Sequence, residues 1–228
     1  AADASHVLLE NLERVTALLI GPGFGTEDTT CEFIENVLKL KGTAKKSSVG
    51  MGFIHEKSAD KEEKEIKLPP LVFDADGLKL LAEIENWHEL IAEPAVLTPH
   101  PGEMAVLTGL DIAEIQADRL NVAKKYAQEW GHVVVLKGAF TVVAAPNGET
   151  YTIPVASPSL ARAGSGDVLA GLVVGLRAQG LDAVEAAVAG AWVHAHAGIL
   201  AGEMLGASAS VLAGDILSAV PDILADLE

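Results

Sequence analysis

Four apolar runs of strand length recur along this chain, each giving way to a glycine-containing turn and then to a helical pattern. They are "TALLIGPGFG" at 16–25, "PLVFDADG" at 70–77, "AVLTPHPGE" at 95–103 and "HVVVLKG" at 132–138. The apolar cores of these runs do not alternate with polar residues, so both faces of each strand must be covered. Parallel strands with helices on either side meet that demand, which predicts an α/β domain around a mostly parallel sheet. The intervening patterns predict helices near 27–40, 77–85, 102–109 and 115–130. "AFTVVAAPNGETYTIPV" at 139–155 departs from the rule: two β-rich segments flank Pro146-Asn147-Gly148, which predicts a hairpin. Beyond it the chain reads as wholly helical, over 166–179, 182–204 and 212–226, with Pro221 inside the last stretch.

Half of the 228 residues are apolar, enough for a sizeable core, and neither a repeat nor a second domain boundary is visible. The chain therefore reads as one domain over 1–228. No stretch reaches the roughly 18–20 uninterrupted apolar residues of a membrane span. One cysteine, Cys31, excludes an internal disulfide and fits a reducing compartment, so a cytoplasmic location is expected. Cys31 falls on a helical stretch and reads as packing. The net charge of −16 argues against nucleic acid or an anionic membrane as partner. Half of the lysines and arginines crowd into 39–67, and after Gly138 only Arg162 and Arg177 are basic. The segment 41–67 interleaves Lys with Glu and Asp, and reads as a polar surface insertion.

A phosphate bound in the basic-poor half must be held by backbone N–H groups. "ARAGSGDVLAGLVVGL" at 161–176 supplies them. The first amides of a helix lack partners and sit at the positive end of its dipole, and Ala163, Gly164, Ser165 and Gly166 are too small to block them. Asp167 beside this anion hole would repel phosphate. It suits a different task, taking the proton from a hydroxyl that attacks the phosphoryl group. The Walker pattern G-x-x-x-x-G-K-[ST] is absent, and "GPGFG" lacks the Rossmann spacing.

Taken in order, "GPGFG", "LVFDADGLKLL", "LTPHPGEMAVLTG", "VLKGAFTVVAAPNG" and "AGSGDVLAGLVVGL" resemble the ADP/ATP-dependent NAD(P)H-hydrate dehydratases of the ribokinase-like superfamily. "TPHPGE" and "KGAFT" are the more specific motifs. "GSGD" is shared in variant form by sugar and vitamin kinases. The resemblance implies a three-layer α/β/α sandwich with the hairpin and a helical C-terminal third. It also implies a further strand–helix–strand unit ahead of "GPGFG", so the chain reads as N-terminally incomplete. The implied activity is repair of NADHX and NADPHX, the hydrated forms of NADH and NADPH, at the expense of ADP, or of ATP, with Mg²⁺. By the same resemblance, Gly23 and His100 contact the hydrated nicotinamide. Lys137, Gly138, Ala139, Phe140 and Thr141 hold the nucleotide together with Gly166. Asp167 meets the substrate hydroxyl, and Glu103 organises Mg²⁺ through water.

Two alternatives stand beside this reading: a hydroxymethylpyrimidine- or thiazole-type kinase, and a non-catalytic nucleotide-binding remnant. Asp74 and Asp76 in the "DADG" turn read equally as a carboxylate pair or as helix caps. His194 and His196, two apart, point to different sides of a helix and read as structural. The apolar, alanine-rich stretch 183–201 predicts a homo-oligomer, with a tetramer in view.

Overall fold

Within each central strand, neighbouring side chains enter different cores. The computed structural model describes residues 2–39, 42–43 and 65–227. Helix α1 (Ala2–Glu10) precedes β1 (Leu18–Ile20) and α2 (Asp28–Lys39). β2 (Gly42–Thr43) and β3 (Glu65–Ile66) form a short antiparallel ribbon. The insertion expected at 41–67 lies, apart from this ribbon and Lys67, outside the described residues. There follow β4 (Leu71–Phe73), α3 (Asp76–Ala82), β5 (Val96–Leu97), α4 (Pro101–Thr108), α5 (Ile112–Ala117) and α6 (Arg119–Trp130). β6 (Val133–Leu136), β7 (Val142–Ala144) and β8 (Thr150–Thr152) complete the sheet, and α7 (Ser165–Ala178), α8 (Ala183–Leu205) and α9 (Ala213–Ala225) close the chain.

The main sheet has six strands in the order β1-β4-β5-β6-β7-β8. The first three pairings are parallel and the last two antiparallel. Leu71, Phe73, Leu97, Val134 and Leu136 face one core, filled from the helical side by Ile34, Leu78, Leu81, Met104 and Trp130. Val72, Val96, Val133 and Val135 face the other, against Leu169 and Val173 of α7 and the alanines of α8. The strands read as continuous apolar runs because the pleat sends alternate residues to two buried faces. Three layers result, as expected. The hairpin falls where Pro146-Asn147-Gly148 places it, with Val143 opposite Tyr151. Cys31 packs against the first core.

One expectation changes. The helix expected over 115–130 is two helices, broken at Asp118, whose φ of −146° is not helical and whose side chain caps α6. The alanine-rich stretch 183–201, from which a homo-oligomer is expected, is largely buried within its own chain. Ala186, Ala187, Ala191 and Ala195 pack under the sheet, while Val193, Ala197 and Ala201 pack against α9. By length and mean hydropathy α8 could cross a membrane, yet 56% of its most apolar window is buried within the fold. Much of its apolarity is used inside its own chain. Exposed apolar side chains include Met204 and Leu205 at the end of α8 and Leu212, Leu217 and Leu224 beyond it.

Candidate active site

Parallel pairing brings the carboxyl ends of β1, β4, β5 and β6 to one edge of the sheet, the edge at which open α/β sheets hold ligands. Asp74 directly follows β4, Thr98 and His100 follow β5, and Lys137 follows β6. The glycine-rich entry to α7 comes up to the same edge. Between them lies a cavity of about 810 Å³, bordered by Asp74, His100, Glu103 and Lys137 from the sheet and by Ala163, Gly164, Ser165, Gly166 and Asp167 from the helix.

α7 starts where it does because Gly164 adopts a left-handed conformation, φ 82°, that glycine takes without strain. No side chain caps the helix. Ser165 is buried. Its hydroxyl donates to the Leu160 carbonyl at 2.7 Å and its N–H to the Arg162 carbonyl at 3.2 Å. This corrects the expected anion hole: the Ser165 amide is already engaged, so Ser165 anchors the loop. The N–H groups of Gly166 and Asp167 have no carbonyl one turn back and stay open toward the cavity mouth. Asp167 itself is exposed, and among the described residues nothing bonds its carboxylate.

Lys137 is the cation at the strand end; Arg162 also borders the cavity, its Nη2 donating to the Ala209 carbonyl at 2.9 Å. The Lys137 Nζ lies 2.6 Å from Asp74 Oδ1 and 3.4 Å from Glu103 Oε2. A Cβ on Gly166 would stand 3.2 Å from that ammonium, so only a glycine lets the strand end and the helix start meet undisturbed.

His100 is the N-cap of α4. Its Nδ1 accepts from Gly102 N–H at 2.9 Å and from Glu103 N–H at 3.1 Å, which leaves Nε2 to carry the ring proton. Glu103 is buried and returns the capping interaction, accepting the His100 N–H at 2.7 Å. Both residues thus hold the helix start while bordering the cavity. Among the described residues no group of three or more His, Cys, Asp or Glu could hold a metal.

Gly138, Ala139 and Thr141 border the cavity, but Phe140 does not. Its φ of 53° turns the side chain outward, leaving it 54% exposed. Gly23 also lies off the cavity wall, in the turn after β1, with nothing within 4 Å of a Cβ built on it. Asp76 separates from Asp74: it pairs with Lys79 at 2.9 Å and accepts the Gly25 N–H at 3.1 Å. The two aspartates are not a carboxylate pair.

Sequence reasoning did not find the partner of Lys137, nor the apolar wall formed by Ile153, Val155, Leu160 and Ala191. It also missed that His194 borders the cavity, while His196 packs against Trp192 with the rings tilted by 34° and their centres 4.0 Å apart. Burial pushes the His194 imidazole down to about 4, so it is neutral near pH 7. The signal for Asp74 was present: an acid directly after a fully buried strand.

A three-layer sandwich of this topology, with a helix N-terminus, a lysine and a free carboxylate around one strand-end cavity, defines a ribokinase-like protein. Solved structures agree. The Bacillus subtilis ADP/ATP-dependent NAD(P)H-hydrate dehydratase co-crystallised with ATP/Mg²⁺ has a TM-score of 0.75 at 25% identity, covering 99% of this chain and 70% of that one. A Pyrococcus horikoshii hydroxyethylthiazole kinase shares the fold alone, with a TM-score of 0.64 at 17% identity over 98% of this chain and 75% of that one. The profile of the NAD(P)H-hydrate dehydratase family matches residues 1–222, and the chain belongs to that family. It is 41% identical over 196 residues to the bifunctional NAD(P)H-hydrate repair enzyme Nnr of Moorella thermoacetica, covering 86% of this chain and 32% of that protein. It is 45% identical over 130 residues to the ADP-dependent (S)-NAD(P)H-hydrate dehydratase of Neisseria meningitidis, covering 56% of this chain and 44% of that protein. The chain thus spans less than half the length of these relatives.

Proposed function

We propose that this protein dehydrates the S-forms of NADHX and NADPHX to NADH and NADPH, using ADP, or ATP, as phosphoryl donor. The observation that carries the reading is the free Asp167 carboxylate beside the open amides of Gly166 and Asp167, bordering the same cavity as the Lys137 ammonium. The nucleotide lies along the Lys137, Gly138, Ala139 and Thr141 stretch, with its terminal phosphate at the start of α7. Asp167 takes the proton of the ring hydroxyl as that oxygen bonds to the phosphorus and AMP departs. Lys137 and the α7 amides hold the charge that develops on the phosphoryl oxygens. The C–O bond then breaks. The ring nitrogen's lone pair expels phosphate, and the neighbouring carbon gives its proton to solvent water to complete the ring double bond. Phosphorylation matters because hydroxide leaves poorly at neutral pH and phosphate leaves well.

His100, with its Nε2 proton, and the backbone around Gly23 would contact the nicotinamide part. Glu103 would hold Mg²⁺ through water, and the ion would supply charge neutralisation between the phosphates. The chain would act as a single domain in a reducing, cytoplasmic setting. A homo-oligomer, a tetramer in the fullest form, would cover the exposed Leu212, Leu217 and Leu224.

The test mixes hydrated NADH with the protein, Mg²⁺ and ADP. Reduced-nicotinamide absorbance should return with one AMP formed per NADH. Nucleotide consumption with a pyrimidine or thiazole alcohol alone would make the protein a kinase, and binding without turnover would make it a nucleotide-binding remnant.

A further inference from the structure

The Lys137 ammonium is not placed by its own strand alone. Its Nζ is held at 2.6 Å by Asp74, a residue 63 positions earlier in the chain. Asp74 is 1% exposed, and the same Oδ1 accepts the Thr98 hydroxyl at 2.8 Å. Thr98 is itself fully buried. The main chain of Asp74 is also fixed: its N–H donates to the Ile20 carbonyl at 3.1 Å and its carbonyl accepts from Gly77 at 3.0 Å. An aspartate fixed by two main-chain bonds and by the Thr98 hydroxyl on its carboxylate is a rigid mount.

From this geometry we infer that Asp74 is a positioning residue, holding the Lys137 ammonium at the first turn of α7 so that a remaining donor meets the terminal phosphate of the bound nucleotide. The inference rests on the nucleotide reading above. An ammonium has three donors. Asp74 accepts from one at 2.6 Å, Glu103 stands at ion-pair distance, 3.4 Å, and a Cβ built on Gly166 would stand 3.2 Å from Nζ and 3.7 Å from Asp74 Oδ2. Glycine at that position leaves the ammonium uncovered beside the free helix amides. Lysine is a flexible point charge on four methylenes, and without a fixed acceptor it samples many rotamers. Stability alone gives little reason for the pair, since a buried ion pair is often no better than apolar residues of similar volume. The aim of the ammonium is what the pair supplies.

Binding of ADP, pyrophosphate and adenosine to the full chain, measured by calorimetry, separates the possibilities. Asp74→Asn should weaken ADP and pyrophosphate by about tenfold or more, as loss of a charge-assisted hydrogen bond implies, and leave adenosine within about twofold. In a Lys137→Met background the same change should have no further effect on ADP, because Asp74 acts through Lys137. Equal losses for ADP and adenosine, unchanged ADP affinity, or additive effects in the double variant would overturn the inference. If Asp74→Asn does not fold, Thr98→Val loosens the same carboxylate, and its loss must again be confined to the phosphate-bearing ligands. Wild-type protein that binds pyrophosphate but not ADP would end the nucleotide reading alone, and the Asp74 comparison would then be made with pyrophosphate. Binding of neither would end both.

Discussion

The Nζ of Lys137 stands 3.2 Å from the point that a Cβ on Gly166 would occupy. The end of a central strand and the first turn of a helix therefore meet across a gap one methyl wide. Gly166→Ala should fold well, because the lysine tip can shift and alanine favours the helix by up to about 1 kcal/mol over glycine. Its ADP affinity should nevertheless fall by about tenfold or more, since the methyl displaces the ammonium and crowds the open amides. Thermal melting with and without ADP reads both effects at once.

Asp167 is exposed and bonded to nothing among the described residues, so its replacement should leave stability nearly unchanged. Asp167→Asn should lower dehydration by about 100-fold or more, the scale of a lost general base. ADP binding should persist or strengthen, because a negative charge near the phosphates is gone. Steady-state rates beside calorimetric affinities test the split, and wild-type turnover in the variant would contradict the assignment.

Gly21 and Gly23 are two residues apart yet should respond to very different degrees. A Cβ on Gly21, at φ 132°, would stand 1.8 Å from the Asp74 carbonyl oxygen and 2.5 Å from the Gly77 nitrogen. Both obstacles are backbone and neither can yield. Gly21→Ala should cost about 4 kcal/mol or more and fail to fold under mild denaturant. Gly23→Ala meets open space and should cost only about 1–2 kcal/mol from its left-handed backbone. Urea unfolding of the two variants provides the comparison.

Acid should weaken the fold through its buried histidines. Burial pushes His132 from 6.5 down to about 4, between the Ala95 N–H on Nδ1 and the His88 carbonyl at Nε2. His194 is pushed down to about 4 as well. Between pH 6.5 and 4 the unfolded chain binds these protons and the folded chain does not, so stability falls as pH falls through that window. Above 6.5 neither state is protonated and the contribution is flat. Each histidine contributes up to about 3 kcal/mol across the interval. Denaturant unfolding between pH 7 and pH 4.5 should show the slope, and His132→Gln should reduce it whatever it does to stability at pH 7.

Metal removal should separate catalysis from folding. No metal-holding cluster occurs among the described residues. A chelator should therefore stop turnover without moving the melting temperature of the ligand-free protein. A fall in that temperature would show a resident structural metal instead.

The strands, the hairpin and most helix limits were legible because they follow from local periodicity and turn chemistry. "HVVVLKG" reads as a strand buried on two faces, and Val133 to Leu136 is that strand. The α7 entry was legible for the same reason: only small residues leave helix amides bare. The break at Asp118 was missed because it depends on a single dihedral angle, which a continuous helical pattern hides. Phe140 was placed in the site by its neighbours in "KGAFT", but one left-handed residue turned it outward. The stretch 183–201 looked like an interface, since composition alone cannot say whether apolar side chains meet another chain or the sheet beneath them.

By itself the sequence determined the layered α/β architecture, the glycine-rich helix start without a side-chain cap and the acid beside it, for these depend on residues within a few positions of one another. The tertiary structure decided that Lys137 answers to Asp74, that Ser165 gives its amide to the loop instead of the cavity, and that α8 is core. Those outcomes rest on groups far apart in the chain or on one backbone angle. Their energies exist only once the sheet has brought the partners within hydrogen-bonding reach.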